Sequence, residues 1–328
     1  MACAVNRHRG GWPAPQRVLI TGGAGFIGSH LARAHVGKGD EVHILVRPTA
    51  LLDPDRVHRD VIVHRVDLTN YAALMSCLAA ARPRAIYHLA TDAGRSQILP
   101  EPHDIAALTG DLGNVLRLAA AAAEGPAKPE LLIAGQSLAV YGNGASPSAE
   151  DQREAPIAPY TASMVAAAHY LAVMQPRLPF SVLHARLGLT FGPGQADSFF
   201  IPWLVDRCMR RLPSEVRTPD DRRDLIHVDD IVAGLMAMSR TPLPGGTTIN
   251  LAAGVAPTMR EIAGLILELT GADSDLIQFA QGPHRDIRGR SLCCQIDRAW
   301  EMLGWRARVS LREGIARLVA SYASERVE

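Results

Sequence analysis

The stretch that decides the fold is Arg17-Val18-Leu19-Ile20-Thr21-Gly22-Gly23-Ala24-Gly25-Phe26-Ile27-Gly28. Its first five residues predict a short buried strand, and the run from Ser29 to Val36 predicts a helix directly after the glycines. The spacing Gly22-x-x-Gly25-x-x-Gly28 is that of a dinucleotide phosphate loop, which needs a tight turn, bare backbone beside a pyrophosphate and close helix-strand contact. The first N–H groups of the helix then face the anion. The stretch therefore predicts a dinucleotide-binding α/β domain.

Strand and helix patterns alternate along the first half of the chain. We predict strands at 17–21, 41–46, 61–65, 85–89, 130–135 and 181–186. Ala-rich stretches at 71–81 and 105–123 predict helices between them. This alternation predicts a doubly wound parallel sheet, the Rossmann arrangement. From Gly188 onward the pattern loosens into Gly- and Pro-rich turns, and a further helix is predicted from Val228 to Ser239.

Charge and composition exclude several classes of protein. The chain of 328 residues has 34 basic and 33 acidic side chains, so its charge gives no basis for nucleic acid or membrane binding. No apolar run approaches the ~20 residues of a membrane span. Five cysteines without a secretion signal or metal-ligand spacing predict reduced thiols in the cytoplasm, and the twelve histidines show no metal motif. We therefore expect a cytoplasmic protein without a bound metal.

The segment Tyr160-Thr161-Ala162-Ser163-Met164 has the spacing of a Tyr-x-x-x-Lys active site, with methionine in place of lysine. Residues four apart lie on one face of a helix. A free tyrosine has a pKa of about 10, and a cation at ~5 Å with an effective dielectric of ~20 lowers it by about two pKa units. Met164 supplies no such cation. The chemistry therefore depends on the rest of the site.

Five segments in order carry a resemblance to a known family. They are Thr21–Gly28, Tyr87–Ala90, Ser137–Gly142, the Tyr160 helix and Arg223–Asp230. Together they resemble the extended short-chain dehydrogenases/reductases, and most closely the nucleotide-sugar epimerase, dehydratase and ketoreductase branch. The ending Leu303-Gly304-Trp305, followed by Val309 to Gly314, is similar to that of the same branch. The resemblance implies an NAD(P)-dependent enzyme acting on a nucleotide-diphosphate sugar.

The resemblance also implies a domain arrangement. We expect a flexible tail over 1–15, an NAD(P)-binding Rossmann domain over 16–187 and a smaller, mainly substrate-binding domain over 188–328. A segment around 224–239 is expected to return to the Rossmann domain, because the family builds its smaller domain from later segments of the chain. A homodimer through the two long sheet-covering helices is also expected, since it is common in the family.

For the proton relay, the resemblance implies Tyr160 and Ser137. The sugar 4,6-dehydratases carry Asp and Glu directly after this serine, whereas this chain has Leu138 and Ala139, which cannot transfer protons. Dehydration by that mechanism is therefore disfavoured. By resemblance, His88 and Asp92 lie near the cofactor, where they could substitute as proton carriers, and His88 is also a predicted substrate contact. The alternative for His88 is a structural histidine at a strand end.

For the cofactor, the second strand ends in Val46-Arg47, where an NAD enzyme should carry an acidic residue for the ribose hydroxyls. A guanidinium at Arg47 suits the 2′-phosphate of NADP, so we predict NADP, with NAD possible. Asp67 resembles the residue that binds the adenine amine, with a helix N-cap as the alternative. The predicted cofactor residues are Gly22, Gly25, Phe26, Ile27, Gly28, Arg47, Asp67, Leu68, Leu89, Ala90 and Tyr160.

For the substrate, Arg223 resembles the arginine that grips the nucleotide diphosphate, with a salt bridge to Asp224 or Asp221 as the alternative. Leu189 stands where many relatives carry an asparagine that contacts substrate. Arg288 and His284 lie in a loop that touches phosphate in the family.

Three functions remain open from the sequence. The first is a working NADP-dependent oxidoreductase or epimerase on a nucleotide-linked sugar. The second is a non-reductive or internal redox enzyme in which Tyr160 acts only as an acid. The third is a degenerate member that binds NADP without turnover. Retention of Tyr160, Ser137, Arg223 and the glycine loop favours the enzymes.

Overall fold

A seven-stranded parallel sheet organises the protein, whose computed structural model describes residues 15–91, 105–280 and 291–324. The first seven strands in chain order are β1 Arg17–Thr21, β2 Glu41–Val46, β3 Ile62–Arg65, β4 Ala85–His88, β5 Leu131–Ser137, β6 Ser181–Leu187 and β7 Leu189–Phe191. The others are β8 Ser214–Val216, β9 Arg222–Arg223, β10 Leu225–His227, β11 Thr248–Leu251, β12 Ile277–Phe279 and β13 Ser291–Leu292. The sheet order is β11-β6-β5-β4-β1-β2-β3. The predicted doubly wound sheet is confirmed, and β11 is an additional edge strand that the sequence did not predict.

Nine α-helices lie within the described ranges. They are α1 Phe26–Val36, α2 Tyr71–Ala81, α3 Ile105–Glu124, α4 Pro159–Met174, α5 Phe200–Met209, α6 Val228–Arg240, α7 Met259–Thr270, α8 Asp297–Leu303 and α9 Leu311–Ser324. Side-chain caps fix where several helices begin. At α2, the Asn70 side chain accepts a hydrogen bond from the Ala73 N–H, and at α7, Thr258 forms a reciprocal capping box with Glu261. Across these helices, none has both the length and the apolar composition needed to cross a bilayer.

The core lies on both faces of the sheet. Neighbouring strand residues point to opposite faces, so Ile20 packs in the cluster with α6, whereas Leu19 packs in the cluster with α2 and α3. Both side chains are fully buried. Covering both faces explains why the central strands are almost continuously apolar. The carboxyl ends of the strands thus form one shared edge above this core, where ligands bind in such sheets.

The later half of the chain is divided between the sheet and a second core. Apolar residues of α5, α7 and α9, among them Leu204, Ile262 and Ile315, form a separate buried cluster. In contrast, α6 packs against α1, and β11 completes the sheet beside β6. Asp230 of α6 accepts hydrogen bonds from the backbone N–H groups of Arg308 and Val309, at 3.0 and 2.9 Å. α6 and β11 therefore both pack with the sheet.

Candidate active site

The phosphate loop after β1 forms a cradle of bare backbone. Gly22 has φ 71°, and a Cβ built there would lie 2.9 Å from the backbone N of Ala90. A Cβ on Gly28 would lie 2.2 Å from the Gly22 carbonyl oxygen. Both approaches are too close for a side chain, so glycine is required. The loop and the segment after β4, with Leu89 and Ala90, thus meet at the point where the strand order reverses.

The start of α1 suits an anion. Its N-cap is Gly25, which brings no side chain to satisfy the first N–H groups. The Ser29 N–H donates to the Gly25 carbonyl at 2.9 Å, so the N–H groups of Phe26, Ile27 and Gly28 precede the helical hydrogen-bond ladder. Such groups bind phosphate through both hydrogen bonds and the helix dipole. The cradle and this helix end together fit the pyrophosphate of a dinucleotide.

The ends of β2 and β3 bring Arg47 and Asp67 into one electrostatic neighbourhood. Val46 is buried, and exposed Arg47 follows it. Asp67 accepts from the Thr69 N–H at 2.8 Å and from the Thr69 hydroxyl at 2.7 Å, and these bonds hold its pKa below the usual range, with a smaller contribution from Arg47. Asn70 rather than Asp67 caps α2, so the alternative of a helix N-cap for Asp67 is wrong. Its neighbour Leu68 is buried in the core.

His88 lies at the end of β4, directly beside Thr21 in the register of the sheet. Its Nδ1 is 2.8 Å from the Thr21 hydroxyl oxygen, which also accepts from the Ala90 N–H at 3.3 Å. Burial lowers the pKa of His88 to about 4, so the ring is neutral at pH 7. This arrangement braces the phosphate loop against the next strand and fits the structural role left open for His88.

Ser137 and Tyr160 meet at the carboxyl edge. Ser137 ends β5, and its Oγ accepts from the Ala139 N–H at 3.1 Å. Tyr160 lies in the first turn of α4, and its hydroxyl lies near enough to Ser137 for that side chain to influence its pKa. Burial raises the pKa of Tyr160, and the nearby Ser137 side chain only partly opposes that effect. The two predicted relay residues therefore come together from separate elements.

Met164 follows Tyr160 by about one turn of α4. It packs against a small apolar cluster that includes Leu138 and Tyr141. Its backbone carbonyl accepts a hydrogen bond from the Gln136 side-chain amide at 3.1 Å. Gln136 thus ties α4 to β5 beside Ser137. Sequence reasoning missed this contact, because a glutamine one residue before the serine carried no motif.

Arg223 forms a salt bridge with Asp221. The sequence left this salt bridge open as an alternative to diphosphate binding. Its Nη2 lies 2.8 Å from the Asp221 carboxylate, and its Nη1 donates to the Arg222 carbonyl at 2.9 Å. These contacts hold the guanidinium group of Arg223 in place in β9. They are compatible with diphosphate binding, since a guanidinium has five N–H donors.

Asp224 is fully buried and gathers backbone donors from two distant segments. It accepts from the N–H groups of Ala253, Gly254 and Cys294, at 2.8, 3.1 and 3.3 Å. Burial raises its pKa to about 6, while these hydrogen bonds oppose the rise. Asp224 therefore fixes the strand that carries Arg223. The sequence treated this residue only as a possible salt-bridge partner, because burial of a carboxylate leaves no local signal.

A buried polar network supports the same edge behind the relay. The Tyr141 hydroxyl donates to Asn250 at 2.7 Å, and the Asn250 N–H donates to the Glu150 carboxylate at 3.0 Å. Arg186 pairs with Glu154 and lies 4.7 Å from the centre of the Tyr141 ring. The network joins β6 and β11 to the segment before α4.

Of the remaining predicted substrate residues, one lies within the residues that the structure describes and the others lie outside them. Leu189 begins β7, and its N–H donates to the Asp224 carbonyl at 3.1 Å. Asp92, His284 and Arg288 lie outside the described residues. Within 15–91, 105–280 and 291–324, no three metal-ligating side chains converge.

Comparison with known proteins assigns the family. The sequence profile described as "NAD dependent epimerase/dehydratase family" matches residues 18–252. The chain belongs to that family. A UDP-glucose 4-epimerase of Mycolicibacterium smegmatis is 29% identical over 319 residues, covering 94% of this chain and 99% of the relative. A dTDP-glucose 4,6-dehydratase of Streptomyces griseus is 28% identical over 341 residues, covering 94% of each chain.

Solved structures of other epimerase/dehydratase-family enzymes show the same fold. The UDP-glucose 4-epimerase of Thermus thermophilus in complex with NAD has a TM-score of 0.81 and 26% identity, covering 94% of this chain and 99% of that one. MoeE5 in complex with UDP-glucuronic acid and NAD has a TM-score of 0.80 and 28% identity, covering 94% and 99%. The predicted family membership is confirmed.

Proposed function

We propose that the protein is an NADP-dependent oxidoreductase or epimerase acting on a nucleoside-diphosphate sugar. The observation that carries this proposal is the convergence of Ser137 and Tyr160 at the sheet edge that also holds the glycine cradle. When bound, the nicotinamide cofactor supplies or accepts a hydride. Tyr160 moves the proton at the reacting oxygen, and Ser137 orients that oxygen.

Cofactor preference is the finer part of this proposal. Relatives of known structure bind NAD, but this chain has buried Val46 at the place of the ribose-binding acid and exposed Arg47 beside it. A carboxylate would repel a 2′-phosphate, and a guanidinium attracts one. Val46 and Arg47 together therefore favour NADP over NAD.

The substrate class is supported by Arg223 and by the relatives. Solved relatives contain UDP-glucose or UDP-glucuronic acid. The partly buried guanidinium of Arg223 sits on β9, where Asp224 holds its strand in place. We propose that Arg223 exchanges part of its contact with Asp221 for the diphosphate of the substrate.

Substitution of the relay residues tests the proposal. Tyr160→Phe should lower turnover by about 10²- to 10⁴-fold, because a positioned acid-base group is lost, while cofactor affinity stays nearly constant. Ser137→Ala should cost less. Tyr322→Phe is the matched control, since Tyr322 lies in α9 at the second core, where its hydroxyl donates to Asp197, and its turnover should equal that of wild type. Unchanged rates in Tyr160→Phe would place the chemistry elsewhere.

A second candidate function is cofactor binding without turnover, which Met164 favours by standing in the lysine position. Stoichiometric NADP binding with no turnover of UDP-sugars or their keto derivatives would support it. We also propose a homodimer through α3 and α4, because Tyr170 and Val173 of α4 are 56% and 79% exposed. A monomer in analytical ultracentrifugation would contradict the dimer.

A further inference from the structure

We propose that Arg65 is a positioning residue for cofactor selection, because it holds the turn that carries Arg47 against the end of the sheet. Arg47 is the side chain that meets the 2′-phosphate of NADP under the proposed function. The role of Arg65 rests on that function and deepens its cofactor assignment. It makes the selection of NADP depend on β3 as well as on β2.

Arg47 opens a tight turn directly after β2. The Ala50 N–H donates to the Arg47 carbonyl at 3.0 Å, which closes a four-residue β-turn with Pro48 at its second position. Pro48 fixes its own φ, and it restricts the residue before it to extended backbone. The backbone at Arg47 therefore has a defined direction as long as the turn keeps its place beside the sheet.

Arg65 ties this turn to the sheet. It ends β3, where its Cα pairs with that of Val46 in the register of the two strands. Its Nη1 donates to the Pro48 carbonyl at 3.0 Å and to the Ala50 carbonyl at 2.8 Å. Hydrogen bonds from a charged donor are stronger than those between neutral groups. One nitrogen of the guanidinium group thus holds the turn at two points.

A second guanidinium group holds the same loop farther along the chain. Nη2 of Arg33, in α1, donates to the Asp55 carbonyl at 2.7 Å. The start of α1 forms the proposed pyrophosphate site. The loop after β2 is therefore attached both to the strand beside the ribose position and to the cofactor helix. A charge-assisted hydrogen bond from Arg47 to a phosphate requires an approach to about 2.7–2.9 Å, so the placement of the turn sets the strength of that contact.

Binding titrations with NADP and NAD test this role, because the two cofactors differ only in the 2′-phosphate. Arg65→Met removes the donor and should lower the ratio of NADP affinity to NAD affinity by about tenfold, with NAD affinity changed by less than about twofold. Arg65→Lys should keep the ratio within about threefold of wild type, since one nitrogen with three N–H donors can serve both carbonyls. Arg59→Met is the matched control, because the Arg59 side chain is 90% exposed in the same loop, 3.8 Å from Asp60. Its ratio should equal that of wild type.

A double-mutant cycle shows whether Arg65 acts through Arg47. In the Arg47→Ala background, Arg65→Met should leave the affinity ratio unchanged, because the turn then carries no guanidinium group to position. An equal loss in both backgrounds would mean that Arg65 binds the phosphate itself, which would overturn the positioning role.

Three other outcomes would also contradict this role. They are an unchanged ratio in Arg65→Met, a loss in Arg65→Lys as large as that in Arg65→Met, and equal losses of NADP and NAD affinity, which would indicate a merely structural arginine. Each of these leaves the proposed function intact if wild type prefers NADP. A wild type that binds NAD as tightly as NADP would instead overturn the cofactor assignment of the proposed function, and the role of Arg65 with it.

Discussion

The phosphate cradle and the reaction edge lie on the same side of one sheet, but they are built differently. The reaction edge is the name used for the side chains of Ser137, Tyr160 and Arg223. The cradle uses backbone atoms from consecutive residues, and its glycines leave no room for side chains. The reaction edge uses side chains from β5, α4 and β9, and Asp224 joins its last part to distant segments. A backbone site tolerates little change, whereas a side-chain site changes its chemistry by one substitution. Met164 stands at the lysine position of a Tyr-x-x-x-Lys pattern within an intact fold.

The largest expected effect comes from adding one methyl group to the cradle. Gly28→Ala should lower the free energy of unfolding by roughly 4 kcal/mol and abolish measurable cofactor binding, because its Cβ collides with backbone. That Cβ would lie 2.2 Å from the Gly22 carbonyl oxygen. Denaturant unfolding and cofactor titration check both outcomes.

Gly264→Ala provides the control for this change. Gly264 lies in α7, and a methyl group added there would have nothing within 4 Å, so the variant should gain about 0.5–1 kcal/mol through helix propensity. Equal tolerance of alanine at both positions would contradict the view that the cradle depends on bare backbone.

A smaller effect is expected from Asp224→Asn on the reaction edge. The amide has one accepting oxygen, whereas both oxygens of the Asp224 carboxyl group accept from backbone N–H groups, so the free energy of unfolding should fall by about 3 kcal/mol at pH 4. Asp220→Asn is the control, because that side chain is 87% exposed. The variant should also raise the KM for a UDP-sugar more than it changes kcat.

The pH dependence of this effect has a definite sign. Burial raises the folded pKa of Asp224 to about 6, above the unfolded value of about 3.9. The folded state therefore binds more protons between these values, and the wild type loses stability as pH rises through 6. The difference in unfolding free energy between the wild type and Asp224→Asn should therefore narrow between about pH 4 and 7. A difference that widens would mean that the three backbone N–H groups outweigh burial.

The smallest expected effect concerns Arg47 at the rim of the cofactor site. Arg47→Ala should weaken NADP binding by about 2 kcal/mol, the range of a hydrogen bond to a charged group. NAD affinity should barely move, because NAD lacks the 2′-phosphate. Calorimetric titration of both cofactors checks this difference. Equal losses for the two would contradict the selection of NADP by Arg47.

Local patterns in the sequence were sufficient to predict the phosphate cradle and most strands of the sheet. The predicted helix at 71–81 matches α2, and the glycine spacing identified the phosphate loop. The edge strand β11 was missed because its four residues follow a Gly-rich turn and are too few to show a clear period. Asp224 and Gln136 were missed for another reason. Their contacts join residues far apart in the chain, and such contacts leave no periodic pattern.

The position of β11 also affects how the protein is made. This strand pairs with β6 at the edge of the sheet, yet about sixty residues separate the two along the chain. A nascent chain on the ribosome therefore exposes the unpaired edge of β6 while those residues are synthesised. Open strand edges recruit other chains, so we expect the nascent chain to be most prone to aggregation before residue 251 emerges.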